Sequence, residues 1–137
     1  MRHLSTLAVL FALAMSFGSQ AKAQSIILKD NTQVPADQLS VIDGKIMRTI
    51  KVGTNSSQAP VPPTAIASID WEPEELGAAK AFLATGKVQE ATDVLKKAKA
   101  FFEPFKDVSG NSYAEILFAY AEALNQSGNF EATIKLM

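Results

Sequence analysis

Two segments of this chain rhyme: Gly86-Lys87-Val88-Gln89-Glu90-Ala91-Thr92 and Gly128-Asn129-Phe130-Glu131-Ala132-Thr133-Ile134. Each follows a segment rich in Ala and Leu, and each opens another amphipathic one. A repeated helix–turn–helix unit cannot bury its apolar face alone, so it must stack on a neighbour. Such stacks make surfaces more readily than catalytic pockets, which directs attention to binding.

The N-terminal residues point to export. Arg2 and His3 precede an apolar run, Leu7–Phe17, that is too short to span a bilayer as a helix. Ala21-Lys22-Ala23 has the small-x-small pattern of a signal-peptidase site. Residues 1–23 are therefore expected to be a removed signal peptide, with a mature chain from Gln24 that is periplasmic or secreted. No Cys follows the apolar run, which excludes lipid attachment through one, and no later run approaches membrane-spanning length.

Cleavage would remove Arg2 and Lys22 from the 13 Lys and Arg, leaving 11 bases against 14 acids, net −3. That mild acidity offers no basic face for nucleic acid and no polybasic patch for anionic lipid. The chain has no Cys, and its single His is His3. The mature chain then lacks both residue types, which removes Ser-His-Asp and Cys-His nucleophilic sites and zinc sites built on Cys or His. No catalytic residue, cofactor site or metal site is expected.

From Gln24 to Trp71 the pattern is β. Ser25–Lys29 and Thr32–Val34 flank Asp30-Asn31 as a short hairpin. Leu39–Ile42 and Lys45–Val52 flank Asp43-Gly44, a strong two-residue turn signal that pairs Val41 with Ile46. Ile46, Ile50 and Val52 then share one face of the second strand. Gly53–Gln58 reads as a flexible turn, Ala59–Pro63 as a Pro-rich edge or loop, and Ala65–Ile69 as a last strand. The expectation is a small antiparallel module, SH3-like or a partly open barrel, leaning on the helices behind it.

Helix begins near Pro73, where Pro suits the first turn and Glu72, Glu74 and Glu75 suit the positive end of the helix dipole. A first helix is predicted over Pro73–Ala84 and a second over Val88–Phe102, the latter with Ala91, Val94, Leu95, Ala98 and Phe102 at helical spacing. Pro104 ends it. Ser112 and Glu115 have capping-box spacing before a third helix to Gln126, whose apolar stripe of Tyr113, Ile116, Leu117, Tyr120 and Leu124 is widened by Phe118 and Ala121. A fourth opens at Phe130 and stops by Met137, an unfinished hairpin that suggests a truncated product or one completed by a partner. The overall class is α+β, with a signal peptide at 1–23, a β module at 24–71 and helical hairpins at 72–137.

At its helical residues the chain resembles a tetratricopeptide repeat (TPR) protein. The first unit matches the family pattern at Ala79, Gly86, Val88, Ala91, Leu95 and Ala98; the second matches at Leu117, Ala121, Gly128 and Phe130, with Ala132 one place early. Glu75 stands where the family favours Trp or Leu. Glu90 and Glu131 are 41 residues apart against the family's period of about 34, the excess lying in the Phe101–Asn111 connector. The resemblance implies a concave groove lined by the first helix of each unit. That assigns Leu76, Lys80 and Leu83 from one unit and Glu115, Phe118, Glu122 and Asn125 from the other. The family's clamp for peptide carboxylates needs several Lys, Arg and Asn; one Lys and two Glu favour an apolar or basic segment instead.

Other features have plainer readings. Asp70, Glu72, Glu74 and Glu75 are explained by the helix N-terminus rather than a glycosidase pair. Lys96, Lys97 and Lys99 oppose the negative end of their helix. The PxxP spacing at Pro60–Pro63 reads as a stiff loop, and Phe101, Phe102 and Phe105 as packing between hairpins. Asn55-Ser56-Ser57 and Asn125-Gln126-Ser127 are glycosylation sequons. The expected function is an exported, non-catalytic adaptor or scaffold for an envelope or extracellular protein, with self-association through the unfinished hairpin as a further possibility. The alternative is a carbohydrate- or cell-wall-binding module in which Trp71 stacks on sugar; its plainer role is a plug between sheet and helix.

Overall fold

The computed structural model describes residues 24–137, and the expected signal peptide lies outside them. The fold is α+β, two antiparallel three-stranded sheets followed by four helices. β1 (Ser25–Leu28) sits between β2 (Gln33–Pro35) and β6 (Ile66–Asp70), and β4 (Lys45–Val52) sits between β3 (Leu39–Ile42) and β5 (Asn55–Pro60). α1 spans Glu74–Ala84, α2 Val88–Phe102, α3 Tyr113–Gln126 and α4 Phe130–Leu136. Among the described residues no helix is long and apolar enough to cross a membrane.

Turn chemistry sets both hairpin registers. Asp43 and Gly44 take positive φ of 50° and 72°, the type I′ pattern that matches strand twist, and Val41 faces Ile46 as expected. At the β1–β2 turn the Asp30 carboxylate accepts a bond from the Thr32 N–H at 2.8 Å. Hydrogen bonds from Thr32 hold the Asp30 carboxyl below its usual range.

The segment expected as a flexible turn is corrected. Only Gly53 and Thr54 turn, with Gly53 at φ 62°, and Asn55–Pro60 forms β5 paired along β4. Polar side chains hid this strand because nearly all of it is exposed at a sheet edge, where burial imposes no alternation. Pro60 ends it, a position where a missing N–H is tolerated. For the same reason Ile50 and Val52 stay exposed although they share the face of buried Ile46: the β4–β5 ribbon runs past the end of β3, whose pairing stops at Arg48.

Sheets and helices share one core. Ile26, Val34 and Ile69 of the first sheet and Ile46 of the second pack with Ala98 and Phe102 of α2, Phe105 of the following 3₁₀ turn, and Ile116 of α3. A second, smaller core of Ala79, Ala91, Leu95, Ala119 and Ala123 joins α1, α2 and α3. Alanine at these positions lets helix backbones approach closely, while Leu95 fills the space between them. In α2 the buried residues Ala91, Leu95, Ala98 and Phe102 recur at helical spacing, as predicted.

The expected capping box is not formed. Ser112 has φ −106° and ψ 21° and makes no side-chain cap; the side-chain Oδ1 of Asn111 accepts the Tyr113 N–H at 2.9 Å instead. The extended conformation that aims an N-cap side chain at N2 or N3 is absent at Ser112. Just upstream, the Ser109 carbonyl accepts the Ile69 N–H at 2.9 Å, and Gly110 follows at φ +82°. A Cβ on Gly110 would lie 2.5 Å from the Ile69 carbonyl oxygen. This contact fastens the α2–α3 connector to β6.

Gly128 also has positive φ, +79°, but open space around it. Gly110→Ala is therefore expected to lower unfolding free energy by at least about 1–2 kcal/mol more than Gly128→Ala, because it adds a backbone clash to the left-handed strain both share. Chemical denaturation of the two variants checks this. Phe102→Ala is expected to cost about 3–5 kcal/mol. Because Phe102 contacts the core of both halves, strand and helix signals should still melt in one coincident transition.

Candidate functional site

The two rhyming segments form the same turn. After α1, the Gly86 N–H donates to the Leu83 carbonyl at 3.2 Å and the Lys87 N–H to the Phe82 carbonyl at 2.8 Å. After α3, the Gly128 N–H donates to Asn125 at 3.0 Å and the Asn129 N–H to Leu124 at 2.9 Å. Both are Schellman endings, which need a left-handed residue after the helix and so place Gly there. The next residues match too: Lys87 has φ −86° and ψ 64°, and Asn129 has φ −88° and ψ 65°. One turn used twice lays down two helical hairpins, α1–α2 and α3–α4.

α2 packs against both α1 and α3, which touch each other far less. Between α1 and α3 this leaves an open groove of about 450 Å³. Ala79 and Ala119, members of the small helical core, form its floor. One wall is Leu76, Lys80 and Leu83 of α1; the other is Ala114, Glu115, Phe118 and Glu122 of α3. Leu76, Lys80 and Leu83 on α1, and Glu115, Phe118 and Glu122 on α3, fall three or four residues apart and so on one face of each helix, and Ala114 lies one turn before Phe118.

The structure thus brings together Leu76, Lys80, Leu83, Glu115, Phe118 and Glu122, every expected groove residue but one. Asn125 does not line the groove. It lies in the last turn of α3, exposed, where its carbonyl accepts the Gly128 N–H of the helix ending. Ala114 was missed by the sequence reading, being a small residue with no chemistry of its own to mark it.

Phe118 departs from its expected place on the buried stripe of α3. It is 76% exposed, whereas Ile116, Ala119, Ala123 and Leu124 are buried. The face of α3 that meets α1 and α2 is built from alanines, and Phe118 points past it to the groove wall. The charges nearby are not consumed internally. Among the described residues the ion pairs are Lys99–Glu103 and Lys135–Glu131, so Lys80, Glu115 and Glu122 have none. Glu122 accepts only a 3.4 Å bond from the Gln126 amide.

Trp71 lies elsewhere, at the junction of β6 and α1. Its ring centroid is 5.3 Å from that of Phe101 and 5.5 Å from that of Phe102, the second edge-on. Phe101, Phe102 and Phe105 continue the cluster inward, so these aromatics pack between sheet and helices. A second hollow of about 440 Å³ is lined by Ile46, Pro60, Val61, Pro62, Pro63 and Pro104 with Gly44 and Lys45. It carries the PxxP segment but little polar chemistry. Among the described residues no three His, Cys, Asp or Glu side chains gather where they could hold a metal ion.

An aromatic residue kept on a groove wall should matter little to stability. Phe118→Ala is expected to change unfolding free energy by less than about 0.5 kcal/mol, whereas Ile116→Ala, two residues earlier and fully buried, should cost about 2–5 kcal/mol. Thermal and urea denaturation distinguish the two. Comparison with family models, with curated proteins and with solved structures gave no match, which leaves the groove's own geometry to carry the functional reading.

Proposed function

We propose that this chain is an exported, non-catalytic interaction protein of the TPR-like kind, which holds a segment of another envelope or extracellular protein in the α1–α3 groove. The observation that carries the reading is Phe118, a largely exposed aromatic at the centre of a groove wall, flanked by two carboxylates without ion-pair partners among the described residues. Aromatic anchors amid polar residues mark interaction surfaces, because they bury large area at small cost in side-chain freedom. The repeated Schellman turn supports the TPR-like assignment, since it reproduces one hairpin geometry at both rhyming segments. The signal-like residues 1–23 support export.

The carbohydrate-binding alternative draws less support. Trp71 already spends its ring on Phe101 and Phe102, leaving less of its face for a sugar.

A photo-cross-linking amino acid at position 118, in the full chain expressed in its native host, is expected to trap a specific protein. The same probe at Lys97, on the exposed face of α2, should not trap it. Equal trapping at both positions, or none at 118, would refute the groove as the interaction surface.

A further inference from the structure

We infer that the groove recognises a cationic amphipathic helix, one with two basic side chains two turns apart and apolar residues between them. This rests on the groove being an interaction site and names the chemistry of what enters it. Glu115 and Glu122 stand seven residues apart on α3, on one face, with Phe118 between them. Two helical turns carry them about 10.5 Å apart along the axis. Neither carboxylate has an ion-pair partner among the described residues.

The apolar surface between the two charges is continuous. Leu76 and Leu83 face it from α1, with Ala79 and Ala119 beneath. A ligand that fills this space must therefore be apolar at its centre and positive at both ends. A helix meets that demand with residues at i and i+7 on one face and apolar residues at i+3 and i+4 between them. An extended strand does not. Its residues at i and i+3 span the same distance but point to opposite sides.

Lys80 sets a limit on the positive charge. It stands midway between Leu76 and Leu83 on the wall opposite the acids. A ligand cationic on every side would meet it with like charge, so the cations must lie along one edge of the ligand and face α3. The groove thereby selects an orientation as well as a sign.

The test is a titration of the full chain with a synthetic helical peptide that carries two lysines two turns apart and leucines between them. A second peptide has both lysines replaced by glutamine. The lysine peptide is expected to bind more tightly, and its advantage to shrink as salt rises. The Glu115→Gln, Glu122→Gln double variant should weaken its binding about fivefold while leaving the glutamine peptide unchanged. Lys80→Glu should strengthen binding of the lysine peptide, and Phe118→Ala should weaken both peptides. These side chains are exposed, so circular dichroism should be the same for all the variants.

Equal affinity for both peptides, still lost with Phe118→Ala, would overturn charge recognition and leave the groove reading intact. Binding of neither would overturn this inference, and cross-linking at position 118 would decide the groove separately. The exposed side chains Phe130 and Ile134 of α4 give a further outcome. If the chain self-associates and binds peptide only after Ile134→Glu, the occupant is a second copy and the inference fails.

Discussion

Everything in this fold depends on the wedge of aromatic rings at the end of α2. Phe102 and Phe105 are fully buried, and they meet isoleucines from both sheets on one side and helical residues on the other. Trp71 and Phe101 close the same cluster from the β6–α1 junction. Each aromatic pair adds about 0.5–1.5 kcal/mol beyond the area it buries. The two three-stranded sheets bury isoleucines against these rings, which supply the packing surface that sheet stability needs. The helices gain in turn, since α2 is fixed by its C-terminal end and can serve as the spine on which α1 and α3 rest.

The groove is a consequence of that spine. With α2 held behind and alanines at the contacts, α1 and α3 leave an open groove between them. Phe118 and the carboxylates line its α3 side. A larger residue at Ala79 or Ala119 would fill the floor and erase the concavity without touching any charged group. The shape of the groove thus resides as much in the small residues as in the exposed ones on its walls.

Much of this was legible in the residues. The Asp43-Gly44 turn, the bounds of α2 and the two helical hairpins follow from local signals that act over a few positions: a left-handed turn, a proline, a repeat of apolar spacing. The groove was legible through the resemblance to TPR arrays, which implies that the first helix of each unit lines one. Features that depend on distant context were not. β5 is a strand only because β4 outruns its other neighbour, and nothing within Asn55–Pro60 announces it. Phe118 belonged both to the widened apolar stripe of α3 and to the groove, and only the second holds, because composition cannot tell which of two apolar faces of a helix finds a partner. Ser112 carried the capping signature but lost its place to Asn111, one residue earlier, a competition decided by backbone angles. Asn125 is assigned to the groove by the TPR resemblance, but it falls in the last turn of α3, among residues that serve the helix ending.

The bond between Ile69 and Ser109 has a consequence for the order in which the molecule assembles. Ser25 pairs with Asp70, so the first sheet requires two strands separated by the whole of the second sheet. Closing so long a loop is entropically costly, and it gains most when the returning strand is already restrained. β6 is restrained from its far side by the connector after α2, through Ser109 and the close approach of Gly110. The helical hairpins, whose contacts are local, can thus form early and present β6 as a template to β1. Synthesis from the N-terminus works against this sequence of events, because β1 leaves the ribosome long before the connector that steadies its partner. A polypeptide whose first sheet is completed only once its helices steady β6 stays open for longer, and under the export proposed above that delay would keep it translocatable.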